Sequence, residues 1–83
     1  MLVHVLELGY SSEAFDYDYD NCKFIKAFTI KDYHRFIKFI KAMKGHECEL
    51  EGNWYTIEEY TFQLPKDSET LPLIKVYVAE YFA

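Results

Sequence analysis

Hydrophobic and polar positions alternate along most of this chain, with one stretch where the period lengthens to that of a helix. Residues 2–8 read as a strand: Leu2, Leu6 and Leu8 share a face with His4, while Val3, Val5 and Glu7 share the other. Both faces are largely apolar, which suits an interior position in a sheet. Residues 9–13 are turn-like. Residues 15–20 alternate strictly, Phe15, Tyr17 and Tyr19 against Asp16, Asp18 and Asp20. They read either as a strand with an aromatic and a carboxylate face or as an acidic, tyrosine-rich loop, because Asp is a poor strand former. Residues 23–28 form a second strand, with Asp20-Asn21 supplying the turn between them. That pairing sets Asp18 opposite Lys23 and Tyr17 opposite Phe24.

The period changes at residues 30–44, which predict a helix. Thr29 is the expected N-cap, Asp32 falls in the first turn where the helix dipole favours an acid, and Gly45 follows as the stop. Tyr33, Phe36, Ile37, Ile40 and Met43 make an apolar stripe flanked by Phe39. The other side carries Lys31, His34, Arg35, Lys38, Lys41 and Lys44, a basic ridge about 20 Å long at 1.5 Å per residue.

A hairpin comes next, with Gly52-Asn53 as its two-residue turn. The register pairs Leu50 with Tyr55 and Cys48 with Ile57. Cys48, Leu50, Tyr55 and Ile57 then face the core, and Glu47, Glu49, Glu51, Trp54 and Thr56 face solvent. After Glu58-Glu59 the alternation changes phase, so that Tyr60, Phe62 and Leu64 belong together. A bulge at the two glutamates accounts for this. Thr56-Ile57-Glu58-Glu59 also matches a capping box that would open a helix, but the residue types favour a strand. Residues 65–72 read as a loop and 73–82 as a last strand, with Ile74, Val76, Val78 and Phe82 facing one way. The expected class is α+β: an antiparallel sheet of four to five strands with one amphipathic helix packed on one face, in a single compact domain spanning 1–83.

Composition narrows the function classes. At 83 residues and 51% hydrophobic the chain has the make-up of a small folded domain, and 16 of its residues are Phe, Tyr or Trp. No apolar run is long enough to cross a bilayer, and the N-terminus lacks a basic leader, which points to the cytoplasm. Charge is segregated. Residues 1–21 sum to −5, residues 22–46 to +6 and residues 47–83 to −6, so a net charge of −5 hides a basic middle between acidic flanks. Such blocks either steer partners or neutralise each other in the fold.

Enzymatic signatures are weak. Cys22, His34, His46 and Cys48 are legitimate zinc ligands, but they lack the close Cys spacing of a structural site. Cys48 has His46 nearby, yet Glu47 and Glu49 would raise its pKa, the wrong direction for a nucleophile. The acids form exposed repeats rather than a pair held in a cleft. Phosphate-loop, catalytic-serine and dinucleotide motifs are missing. The expectation is a protein that is not an enzyme and uses no metal or cofactor.

Binding is the better reading. Asp16, Tyr17, Asp18, Tyr19 and Asp20 form one candidate patch; Glu47, Glu49, Glu51 and Trp54 form a second. Both combine charge with the side chains favoured as interface anchors. Carboxylates on alternate strand residues lie about 6.6 to 7 Å apart, close to the phosphate spacing along one nucleic-acid strand. In size, acidity and Tyr/Asp-rich composition the chain resembles the small acidic inhibitors of phages and other mobile elements, DNA mimics and anti-CRISPR proteins among them. The likeness implies an inhibitor that blocks a basic nucleic-acid-binding surface on a partner protein. The first alternative is a nucleic-acid-binding regulator that uses Lys31, Arg35, Lys38, Lys41 and Lys44 on the helix. The second is a homodimeric structural protein.

Overall fold

Five strands and one helix succeed one another as β1 (Leu2–Ser11), β2 (Asp16–Thr29), α1 (Tyr33–Met43), β3 (Glu47–Leu50), β4 (Asn53–Gln63) and β5 (Leu73–Glu80). They are seen in a computed structural model that describes residues 1–11, 16–63 and 72–80. The class is α+β, as the periodicities predict. The strand order is β2-β1-β5-β4-β3. The expected antiparallel sheet is corrected in one respect: β1 and β5 run parallel, from Leu2 opposite Leu73 to Glu7 opposite Val78, so the sheet is mixed. A parallel pair needs a long crossover, which β2, α1 and the β3–β4 hairpin together provide. Alternation within a strand sets which face is buried and says nothing about the direction of its neighbour.

The proposed pairing of residues 15–20 with 23–28 is also corrected. Both segments, Phe15 apart, belong to the single strand β2, which pairs with β1 from Leu2 opposite Thr29 to Ser11 opposite Asp16. The Asp20-Asn21 turn signal is real, but it is spent on a loop within the strand that folds back over β1. Leu8 pairs with Cys22 and Gly9 with Asp18, so Tyr19, Asp20 and Asn21 are extra residues on β2. Local bonds hold this bulge: the Asp20 N–H donates to the Asp18 carboxylate at 2.9 Å and the Cys22 thiol to the Tyr19 carbonyl at 3.2 Å. Gly9 permits it, since a Cβ there would lie 2.6 Å from the Asn21 carbonyl oxygen. β1 therefore runs on through Tyr10 and Ser11, where the sequence suggested a turn. Phe15, Leu64, residues 65–71 and Phe82 lie outside the described residues.

The helix is shorter than 30–44. Thr29 is the last residue of β2, and Asp32 is the N-cap, its carboxylate accepting the Arg35 N–H at 3.0 Å. The reason lies at the other end of the ladder. Met1 and Ile30 exchange two backbone bonds of 2.9 Å, which hold Thr29 and Ile30 extended. At its far end the helix stops as expected: Gly45 adopts φ +85° and donates its N–H to the Ile57 carbonyl at 2.7 Å.

In the β3–β4 hairpin the turn is Glu51-Gly52, not Gly52-Asn53. Both residues have positive φ, +50° and +83°, as a type I′ turn requires, with glycine in the second position that this turn favours. Cys48 thus pairs with Tyr55 and Glu49 with Trp54, a register displaced by two residues. A shift of two preserves the faces, so Cys48, Leu50, Tyr55 and Ile57 still point inward. The bulge at the glutamates stands as expected, Ile57 opposite Val78 and then Glu59 opposite Tyr77, and β4 is a strand.

The core gathers Val3 and Val5 of β1, Ile74, Val76 and Val78 of β5, and Tyr55 and Ile57 of β4 beneath α1. Ile40 is the helix residue buried there, at 4% exposure, with Tyr33, Phe36, Ile37 and Met43 half-buried around it. The sheet curls over this core. Lys26 of β2 and Glu51 beside β3, from opposite edges of the strand order, meet at 3.4 Å.

Candidate functional site

The bulge in β2 decides how the first candidate patch is presented. It lays the Tyr19 ring edge-on against the buried Tyr77 of β5, with centroids 5.0 Å apart. Tyr17 meets Tyr10 of β1 in the same manner at 6.1 Å. Tyr10, Tyr17 and Tyr19 remain 63%, 37% and 47% exposed. Large aromatic rings held against a rigid sheet yet open to solvent offer buried area at little entropic cost to a partner.

Acids from three other strands converge on these rings. Burial raises the Tyr17 phenol above the ordinary tyrosine range, and the charge of Glu58 raises it further, ahead of Tyr10 and Asp16. Tyr19 is raised by burial first, then by Glu59, Glu58 and Asp16, with Lys44 opposing. The glutamates that mark the β4 bulge therefore belong to the site. A groove of about 540 Å³ beside Tyr10 and Tyr17 is lined by Glu7, Leu8 and Glu80, with no base among them. Glu7 and Glu80 also act, after burial, to raise the phenol of the buried Tyr55, which pairs with Glu80 across β4 and β5. Of the patch read from the sequence, Asp16 to Asp20, the structure places Asp16, Tyr17 and Tyr19 in this cluster. Sequence reasoning missed Glu7, Tyr10, Glu58, Glu59 and Glu80, which reach the site through pairings distant in the chain.

The even carboxylate row is interrupted. Asp16 and Asp18 keep their two-residue step, but the bulge carries Asp20 out of line. Asp16 accepts the Tyr17 N–H at 2.7 Å, and Asp18 is engaged by Asp20. In the second patch, Glu47 and Glu49 alternate with inward Cys48 and Leu50 and pair with Thr56 and Trp54. Trp54 is 53% exposed. Glu51 leaves this row, because it occupies the turn and its carboxylate meets Lys26.

Arg35, Lys38 and Lys41 on α1 are exposed and pair with no acid among the described residues, and so is Lys31, which the shortened helix leaves ahead of its N-cap instead of on the ridge. Lys44 differs: its ammonium lies 3.0 Å from Glu59, which holds that carboxyl below its usual range. The acidic flanks thus neutralise the basic middle at Lys26 and Lys44 and leave the ridge of the helix bare. Cys22 is raised by burial and then by Asp18 and Asp20, and Cys48 by burial alone, so both thiols stay protonated at neutral pH. Among the described residues no three His, Cys, Asp or Glu side chains converge as metal ligands, and no helix is long and apolar enough to cross a membrane.

The site's geometry sets an alkaline signature. Replacing Glu58 by Gln removes a charge that raises both Tyr17 and Tyr19, so both phenols should titrate at lower pH in the variant, followed by tyrosinate absorbance or NMR. Unchanged titration would mean that Glu58 does not face the rings. The sign for stability follows: Tyr17, Tyr19 and Tyr55 hold their protons more tightly folded than unfolded. The stability they contribute is complete below the unfolded tyrosine value of about 10 and is lost as pH rises through their folded values.

Compared with protein-family models, with curated proteins and with solved structures, the chain matches none of them.

Proposed function

We propose that this chain is a non-enzymatic binding protein whose acidic, tyrosine-lined groove takes a basic surface of another protein and, by covering it, blocks nucleic acid from binding there. One observation carries the reading. Three exposed tyrosines stand among carboxylates drawn from β1, β2, β4 and β5, beside a groove with no base among its described lining residues. Carboxylates steer a basic partner into fast encounter, and desolvated aromatic rings lengthen its stay. The interrupted Asp row favours recognition of basic side chains by a cluster over imitation of an evenly spaced phosphate backbone.

The two kinds of side chain should separate kinetically once a partner has been captured from the source cells and identified. Asp16→Lys combined with Glu58→Lys is expected to slow association, with a defect that shrinks as salt screens the charges. Tyr17→Ala is expected to speed dissociation at least 30-fold, about 2 kcal/mol, if Tyr17 is a hot spot. Tyr17 is a cleaner probe than Tyr19, because removing Tyr19 also uncovers Tyr77. A partner that binds every variant normally, or whose nucleic-acid binding survives addition of the wild-type protein, refutes the reading.

The bare ridge on α1 favours a second reading, direct binding of nucleic acid through Arg35, Lys38 and Lys41, with Lys31 just ahead of the helix. Its mark is affinity that falls steeply with salt and disappears in Lys38→Glu/Lys41→Glu. An absence of binding to any DNA or RNA at low salt removes it.

A further inference from the structure

The concave side of the sheet carries a second feature, independent of the acidic groove. Between the curled strands and α1 lies a cavity of about 260 Å³. Every strand contributes a wall: Phe28 from β2, Val5 from β1, Val76 from β5, Ile57 from β4 and Leu50 from β3, with Phe36 from the helix. Glu49 borders it from β3, but its side chain alternates away from inward Cys48 and Leu50. The Cys48 thiol is the polar group that points in, and burial keeps it protonated. A water molecule needs two to four polar partners, which these walls do not offer, so the space favours an apolar guest. A cavity of about 150 Å³ with such walls admits benzene, and this one has room for a longer chain.

A charge beside the wall residue Phe28 can select among apolar guests. Lys26 shares a face of β2 with Phe28, its ammonium 5.9 Å from the ring centre. Its partner, Glu51, sits on an exposed turn and leaves the lysine partly open to water. A carboxylate anchored by a chain inside the cavity can take the place of Glu51 on Lys26, releasing the exposed Glu51 carboxylate to water, where an exposed ion pair is worth little. Phe39, exposed on α1, forms the lip on the helix side.

We propose that this cavity binds a medium-chain aliphatic carboxylate, with its tail between sheet and helix and its head on Lys26. The test is isothermal titration of the wild-type protein with linear carboxylates of four to fourteen carbons, each below its micellar concentration, and with the matching 1-alkanols. One-to-one binding is expected to tighten about fourfold per methylene, then level off once the chain fills the cavity. Acids should bind more tightly than alcohols, and added salt should reduce that preference. Lys26→Gln should abolish the preference while alcohols still bind, and Glu51→Gln should strengthen acid binding. In the wild type, amide shifts should centre on Val5, Phe39, Cys48 and Val76. The proposal is overturned by affinity that climbs with chain length without levelling, by equal affinity for acids and alcohols, or by shifts centred on Tyr10 and Tyr17. It is equally overturned if the protein dimerises through Phe39 and takes up no carboxylate.

Discussion

Ile40→Ala is expected to destabilise the protein by about 2–5 kcal/mol, whereas Lys38→Ala should change stability by less than about 0.5 kcal/mol. Both residues lie on α1, two positions apart. Ile40 is buried in the core beneath the helix, while Lys38 stands in water. Ile40 also lines the cavity between helix and sheet, so truncation enlarges a space that already exists instead of letting neighbours close around it. That places the expected loss in the upper part of the range. Ile37, only half-buried, should lose less than Ile40. A small domain commonly has about 5–15 kcal/mol of total stability, so Ile40→Ala could halve it. Urea unfolding with an unchanged m-value is the measurement. Equal losses at Ile40 and Lys38 would mean that the helix packs by its other face.

The second large effect is expected at Gly9, where the new atom would meet backbone. An alanine Cβ there would sit 2.6 Å from the Asn21 carbonyl oxygen, which cannot swing aside as a side chain can. Gly9→Ala should therefore force β1 and the bulge apart, at about 1–3 kcal/mol by analogy with overpacking elsewhere. It should also lift Tyr19 off Tyr77, because the bulge is what brings them together. Hydrogen exchange at residues 19–21 and the Tyr77 ring shifts report this directly. Gly45→Ala is the contrast: no atom lies within 4 Å of its Cβ position, so only the strain of φ +85° is added, about 1–2 kcal/mol, and the Tyr19–Tyr77 contact should survive. If Gly9→Ala were silent, the bulge could not be closed over β1 as described.

Periodicity made much of this fold legible. The inward set Cys48, Leu50, Tyr55 and Ile57 was readable because a two-residue error of register returns each side chain to the same face. The 3.6-residue stripe likewise identified Ile40 and its neighbours, and the phase change at Glu58-Glu59 located a bulge. The N-cap was misplaced because Thr29 looks like one locally, while Met1, far away in sequence, keeps it in a strand. The parallel pairing of β1 with β5 left no mark, since both strands are apolar on both faces in either orientation. The candidate site was half legible for the same reason. Its Asp and Tyr residues are neighbours in sequence, but Glu7, Glu58, Glu59 and Glu80 join them only through strand order.

The position of β5 bears on how the chain acquires its structure. β1 with β2 and β3 with β4 pair within short stretches of chain, and hairpins of this kind form in about 1–10 μs. Isolated two-stranded ribbons are marginal in water. Here each one waits for residues 73–80, which pair with β1 on one side and β4 on the other. β5, the last of the described strands, is thus the one that joins the two halves, and its contact with β1 closes a loop of some seventy residues. Such non-local closure slows folding well below hairpin rates. Neither ribbon can be secured until residues 73–80 are available, so both keep open strand edges until β5 docks between them.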